Sequence, residues 1–578
     1  MRQTAADTEN ALLCLLRQWG DALLRLQADL PDVPALDGGI LCPACGMIHG
    51  RCHEAAYPLL TLAARTGEEA YLTGAKRLLR WAENVTCPDG SLKNDLKSDW
   101  RGVTVFGSAA LHDALYYHGD LFTKEEKAAQ EARLAGMGRW LYANLRPGRL
   151  QAYLNYYAAN ACVMALLGRY FDNGDWIALA AELADFCFSH VSENGLLYGE
   201  GHPLDALSPR GCRAIDPGGY NPEETLPMLT RYAAAARDDA ARERCLALWR
   251  AQLNWMLPDG AWDDSPGTRA FKWTYWGSRT ADGCQEALFR LGKTDPVFAE
   301  AALRNFELYR RCTRGGLLYG GPDYAENGEK PCVHHTFCHA KTLAGSLNGG
   351  LYDFYRTALP LDAPEAVARY PELGAVRLAC GGWIADIMSP DRMPMPGAHA
   401  AGGAVSLLWH KKTGPVIACG AADLMMKEPL NQQLPSAPER HRSLCPRIEI
   451  ISGGAVYGQH RDVSASLTVP EKTGGAAVRA EARFCDKNGA PFPAYGECAL
   501  AYELTENALL IRGSVPPGLA AEARYILPLI GGAEAAVLRG SLQGEPRRIF
   551  NLNPGFCALE YTVSPDAAGG FAVRVSVI

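Results

Sequence analysis

Four stretches of this 578-residue chain bring together side chains that could do chemistry. Tyr153-Leu154-Asn155-Tyr156-Tyr157-Ala158-Ala159-Asn160 opens a segment of helical periodicity. There Asn155 can serve as an N-cap, or its amide can donate to a substrate carboxylate. A second stretch runs from Gly199-Glu200-Gly201-His202 through Arg210 and Arg213 to Asp216-Pro217-Gly218-Gly219-Tyr220-Asn221. A loop this long between helices, carrying His, Tyr, Arg and carboxylates, has the composition of a functional loop, although Tyr220 could also pack on the helix that follows. The third joins Trp262-Asp263-Asp264 to Lys272-Trp273-Thr274-Tyr275-Trp276-Gly277-Ser278-Arg279-Thr280-Ala281-Asp282. Aromatics beside Arg and Asp suit sugar stacking and hydroxyl binding, or core packing. In the fourth, His334-His335-Thr336-Phe337-Cys338-His339, His335 and His339 stand four apart and share a helical face, which suits a metal pair or catalytic imidazoles.

A fifth stretch, Cys42-Pro43-Ala44-Cys45-Gly46-Met47-Ile48-His49-Gly50-Arg51-Cys52-His53, has the spacing of a zinc knuckle. With one Cys-x-x-Cys and no distant second pair, the expectation is local packing of small thiols, with no metal and no cofactor assigned. His49 and Arg51 could face a cleft from this loop. The other cysteines of the 19 are scattered, many in apolar helical contexts such as Cys162, Cys187 and Cys338, where a free thiol is a small hydrophobe.

The elements that must position these residues are of two kinds. Up to residue 356, apolar residues recur at three- and four-residue spacing between Gly, Pro and Asp-Gly breaks. The pattern predicts twelve helices, near 5–29, 54–66, 69–85, 102–118, 124–145, 154–171, 174–190, 222–236, 239–256, 280–291, 296–312 and 334–355. Short turns such as Thr66-Gly67-Glu68 pair some of them as antiparallel neighbours, while long loops echo one another at Asn194-Gly195-Leu196-Leu197-Tyr198-Gly199 and Gly316-Leu317-Leu318-Tyr319-Gly320. Six hairpins in a degenerate repeat suggest an (α/α)6-type toroid with the long loops on one rim. After residue 375 short alternating β-rich runs separated by Gly and Pro predict an antiparallel β-sandwich. The chain is thus expected to be an α+β multidomain protein: toroid 1–356, linker 357–374, sandwich 375–578.

Lys and Arg number 57 against 64 Asp and Glu, a formal charge of −7 without a long run of one sign, which argues against a nucleic-acid partner. A polyanionic glycan remains compatible, because a few cations converging in one cleft can bind it whatever the net charge. The first residues lack the basic start and apolar core of a secretory signal and no run reaches a membrane span, so a cytoplasmic location without membrane partners is the expectation. The oligomeric state is not assigned.

The order of these clusters, helix hairpins first and sandwich last, resembles the heparinase II/III-like polysaccharide lyases and the related alginate and chondroitin lyases. The resemblance implies β-elimination on a uronic-acid-containing oligosaccharide or polysaccharide. It puts carboxylate neutralisation on Asn155, acid/base work on Tyr220 and assistance on His335, with His334 and His339 as rivals; His202, in the loop before Tyr220, is a further catalytic candidate on its residue type alone. Arg101, Arg210, Arg213, Trp273, Trp276, Arg279, His334 and His339 are then candidates for substrate binding. The sandwich lacks the family's His-rich metal pattern, and the match leaves Trp276, Arg279 and the Cys42 to His53 stretch unaccounted for. Abstracting the C5 proton beside a carboxylate builds an enolate-like dianion, so the carboxylate must be neutralised while a base takes the proton and an acid protonates the leaving O4. A tyrosine with a pKa near ~10 is a poor base at neutral pH, so Arg210, Arg213 or a protonated His is expected beside Tyr220. The competing reading is a glycoside hydrolase on the same toroid, with its carboxylate pair drawn from Asp95, Asp99, Asp205, Asp263, Asp264 and Asp282.

Overall fold

The computed structural model describes residues 1–95, 98–393, 397–423, 438–470, 476–493 and 496–578. Among them stand twelve α-helices: α1 Ala5–Arg25, α2 Ala56–Thr66, α3 Glu69–Trp81, α4 Thr104–His118, α5 Lys124–Asn144, α6 Leu154–Tyr170, α7 Gly174–Phe188, α8 Leu226–Ala236, α9 Asp239–Gln252, α10 Gln285–Leu291, α11 Pro296–Cys312 and α12 Val333–Gly349. Local signals set many of their ends. Thr123 and Glu126 form a capping box before α5, and Asn173, Asp238 and Asp295 cap α7, α9 and α11. Gly67, at φ +74°, ends α2 in the left-handed conformation that glycine adopts without strain.

The even-numbered helices pack in succession, α2 on α4, α4 on α6, α6 on α8, α8 on α10, α10 on α12 and α12 back on α2. They form a closed inner ring. The odd-numbered helices lie outside it, each against its hairpin partner, and α1 packs on α12. Arg2–Gln3 adds a two-residue antiparallel bridge to Phe354–Tyr355 across the same closure. The division follows polarity: α4 and α12 are buried along most of their length, as a helix in a ring interior must be, whereas α9 keeps a charged outer face.

Three antiparallel sheets follow. The first is a meander of Val367–Tyr370, Ala375–Cys380, Trp383–Met388, Ala404–His410 and Gly414–Ala418. Its edge strand Val367–Tyr370 lies within the stretch expected to be a linker. The second sheet is built on Arg447–Ser452, Ala523–Ile530 and Phe556–Ser564, and the third on Ala476–Arg483, Glu497–Leu504, Leu509–Ser514 and Gly570–Val577. One apolar core, including Leu378, Trp383, Ile448, Leu500 and Val573, draws on all three sheets. Toroid and sandwich are also joined by a second continuous core, in which Ile384, Leu407, Trp409, Ile549 and Phe556 pack with helix residues.

Candidate active site

Because inner and outer helices alternate along the chain, the six inner helices run the same way and present their N-termini to one rim. Side-chain contacts there bridge the segments that precede them. Trp100 before α4 donates from Nε1 to the Tyr156 hydroxyl at the start of α6 (2.9 Å), and the rings of His49 before α2 and His334 at the start of α12 lie 4.3 Å apart. Arg51 before α2 donates to the carbonyl of Thr280 before α10 (3.1 Å). The positive ends of six helix dipoles favour an anionic ligand at this rim.

Tyr220 sits on this rim, immediately before a π-helical turn, Asn221–Thr225, that leads into α8. Its hydroxyl is 2.7 Å from Thr280 Oγ1 and accepts from Lys272 Nζ at 3.2 Å. The Arg269 guanidinium covers the ring at 4.1 Å and the Tyr153 ring at 4.9 Å, and Tyr153 in turn meets the exposed His202 ring at 4.7 Å. Asn155 is not the N-cap of α6: Tyr153 holds that position, and the Asn155 backbone N–H is accepted by Glu200 Oε1 (3.2 Å). Its own Oδ1 is buried without a protein partner among the described residues. Glu200, whose other oxygen meets Arg269 at 3.4 Å, is pushed up to about 7 by burial, against the pull of Arg269 and with the push of Asp216. Asn155, Tyr220 and His202 therefore share one contact network.

Other expected site residues fall elsewhere. His335 is wholly enclosed, with Nδ1 3.3 Å from the Leu318 carbonyl and its ring edge-on to Trp276, and burial drops its pKa to about 3. His339 is enclosed too, with Nε2 3.3 Å from Glu223 Oε2. Trp273 and Trp276 are not stacking platforms: both are fully buried, and their indole N–H groups donate to the carbonyls of Trp262 and Tyr319 (2.8 Å each). Arg279 is buried against Asn553 of the sandwich. Arg210, expected beside Tyr220, instead donates to the carbonyls of Ala465 (2.6 Å), Val463 and Ser389, while Arg213 stacks on Tyr198 at 4.0 Å. Their sequence proximity to Tyr220 is undone by the loop, which carries them to the seam with the sandwich. Arg101 stays at the rim, half-buried, donating to the Asp99 carbonyl (3.1 Å). The cations that do meet the phenol are Arg269 and Lys272, which the sequence pattern does not assign to the site because the aromatics beside them dominate that stretch. Their three-residue spacing around a single 3₁₀ turn, Ala270–Lys272, was the available clue.

The carboxylates considered for hydrolysis are occupied or scattered. Asp263 accepts from Arg377 (2.8 Å), Asp264 holds the Gly218 N–H (2.9 Å), and Asp282 pairs with Arg51 and Lys341 (2.8 Å each). Asp205 and Asp99 are exposed in loops, and Asp95 pairs through its backbone with His49. A cavity of about 370 Å³ lined by His112, Asp113, Arg231 and Glu286 opens at the opposite rim, where the inner helices end.

The expectation that the Cys42 stretch lacks further thiol ligands does not survive folding. Cys332, the N-cap residue of α12, brings its Sγ to 3.8 Å from Cys42 Sγ and 4.0 Å from His49 Nε2. Donor atoms of Cys42, Cys45, His49 and Cys332 all lie within 4.8 Å of one another. Hydrogen bonding with Cys332 and Cys45 draws the Cys42 thiol below its ordinary pKa, while the same contact with Cys42 pushes Cys332 up.

Comparison with known proteins adds the following. The family described as ulvan lyase N-terminal domain matches residues 16–353, and the ulvan lyase C-terminal domain matches residues 367–544. A broad-specificity ulvan lyase from Formosa agariphila is 35% identical over 463 residues, covering 78% of this chain and 72% of that protein. Among solved structures, the chondroitin AC lyase of Streptomyces coelicolor A3 superposes with a TM-score of 0.52 at 14% identity, covering 98% of this chain and 79% of that one. A heparan sulfate lyase from Pedobacter heparinus gives 0.45 at 10% identity, over 97% and 82%. The first of these supports the shared toroid-and-sandwich fold.

Proposed function

Since the chain belongs to the ulvan lyase family and is a polysaccharide lyase that cleaves a uronic-acid glycan by β-elimination, we propose that ulvan is its substrate and that Tyr220 carries the proton. Ulvan contains glucuronic and iduronic acid, so its carboxylates offer the acidified C5–H that elimination needs. The observation that carries the reading is the Tyr220 hydroxyl, held between Lys272 Nζ and Thr280 Oγ1 under the Arg269 guanidinium on the rim where six helix N-termini meet.

In this reading the deprotonated Tyr220 oxygen, with Lys272 Nζ beside it and Arg269 over its ring, takes the C5 proton. The C5–H electron pair becomes the C4=C5 bond, the C4–O4 bond breaks, and the proton on Tyr220 passes to O4. Negative charge grows on the uronate carboxylate meanwhile. Arg269 and the N-terminal end of α6 around Asn155 are placed to stabilise it, and His202 on Tyr153 adds a polar wall. The enclosed His335 takes no part in contact with the sugar.

The test is digestion of ulvan, chondroitin sulfate and heparan sulfate, followed through the ultraviolet absorbance of the unsaturated uronate. Ulvan should yield that chromophore. New reducing ends without it would exclude elimination, and turnover of another glycan with none on ulvan would exclude the substrate.

A further inference from the structure

We propose that Cys42, Cys45, His49 and Cys332 bind one zinc ion in a closed tetrahedral site that staples the first hairpin of the toroid to the last. Four bonds of about 2.3 Å to sulfur and about 2.0 Å to nitrogen require ligand atoms roughly 3.5–3.8 Å apart. The 3.8 Å between Cys42 and Cys332 sulfurs meets that spacing, and the 4.0 Å to His49 Nε2 closes to it with a small side-chain movement. A disulfide would need sulfurs about 2.05 Å apart.

The backbone is built for the same purpose. Cys42-Pro43-Ala44-Cys45-Gly46 turns tightly between the bridged residues Leu41 and Ile48, with the Gly46 N–H donating to the Cys42 carbonyl (2.9 Å) and Gly46 at φ +65°. A residue with a Cβ is strained in that conformation. Across the seam, the Val333 N–H at the head of α12 points at Cys42 Sγ (3.4 Å), so a helix N-terminus and an amide donor both stabilise thiolate charge. Cys42, His49 and Cys332 are buried, so a metal held there is shielded from water and its thiolates are neutralised by the ion. Three sulfurs and one imidazole favour zinc over the harder divalent ions.

Four protein ligands leave no position for water or substrate, so the ion is structural. Its place explains its use. His49 is two residues before Arg51, which reaches the Thr280 carbonyl, and Cys332 is two residues before His334. The ion thereby fixes the rim on the side where the ring closes.

The full chain, expressed with zinc in the medium and purified under reducing conditions, should contain about one zinc per molecule by mass spectrometry. Absorption at the zinc edge should report three sulfurs and one nitrogen. Cys332→Ser and Cys42→Ser should lose at least tenfold of the bound zinc, while exposed Cys14→Ser keeps it. His49→Cys covers the case in which the serine variants do not fold: it should retain the metal with a four-sulfur shell. Wild-type protein without zinc, a shell of nitrogen and oxygen only, or a His49→Cys protein whose shell is unchanged would each overturn the proposal.

Discussion

In the proposed elimination the Tyr220 oxygen carries the proton, with Lys272 Nζ 3.2 Å from it and Arg269 on its ring face. Tyr220→Phe deletes one oxygen and leaves the ring under Arg269. Turnover on the uronic-acid glycan should therefore fall by at least ~10²-fold with little change in Tm or in binding of an uncleaved oligosaccharide. A variant with near wild-type turnover would remove Tyr220 from the mechanism. Glu200 supports a second expectation. Folding raises its pKa to about 7 through burial, so the stability its protonated form contributes is present at low pH and is lost as pH rises through that value. Glu200→Gln cannot ionise, and its stability relative to wild type should improve by roughly 1–3 kcal/mol between about pH 5 and pH 8, measured by urea unfolding at each pH. A difference independent of pH would mean that Glu200 does not titrate there. At this scale the sequence singled out the loop of Tyr220, which the fold brings to the rim with Arg269 and Lys272. It was misleading for Arg210, Arg213, His335 and His339, because nearness in sequence and helical register do not reveal which face the ring buries.

Between residue and domain lies the segment that delivers Tyr220 to the rim. The π-helical turn Asn221–Thr225 makes the backbone wider than the α8 that continues it, and Glu223 fills its inner side. That carboxylate accepts from the Tyr309 hydroxyl (2.9 Å) and the Ser278 N–H (2.7 Å) and lies 3.3 Å from His339 Nε2, tying the turn to α11, to the Trp273–Ser278 hairpin and to α12. Removing it would orphan three buried polar groups. Glu223→Ala should accordingly lose about 3–5 kcal/mol in denaturant unfolding, and Glu223→Gln, which keeps an acceptor, markedly less. Equal losses for the two would show that the carboxylate is not what holds the turn. Helix existence was legible in the apolar spacing, and α6, α7 and α11 begin where the pattern placed them. The π turn was not, since Pro222 two residues after Tyr220 reads as an ordinary helix start.

At the scale of the molecule, the change from three- and four-residue periodicity to alternation marked the passage from toroid to sandwich, but periodicity says nothing about how two bodies dock. The docking is extensive and partly ionic. Arg377 of the first sheet is buried, with Asp386 on its own sheet (2.6 Å) and Asp263 in the loop after α9 (2.8 Å), and its guanidinium lies 4.4 Å from the Trp255 ring. Asp263 is raised well above the usual carboxylate range by burial and by Asp386, which favours its protonated form, and Arg377 opposes that shift. The apolar core runs through the same seam, with Ile384, Leu407 and Phe556 packed in one cluster with toroid residues such as Trp262 and Tyr275. Two bodies that share a core and the buried Arg377, Asp386 and Asp263 cluster cannot open one at a time without exposing both. Calorimetry of the full chain should therefore give one cooperative unfolding transition. Arg377→Ala should move that transition down by several degrees, the consequence of a loss of about 3–5 kcal/mol, while leaving it single. Two resolved transitions in the wild type, or a variant in which only the sandwich melts early, would show that toroid and sandwich fold independently and that the seam is a mere contact.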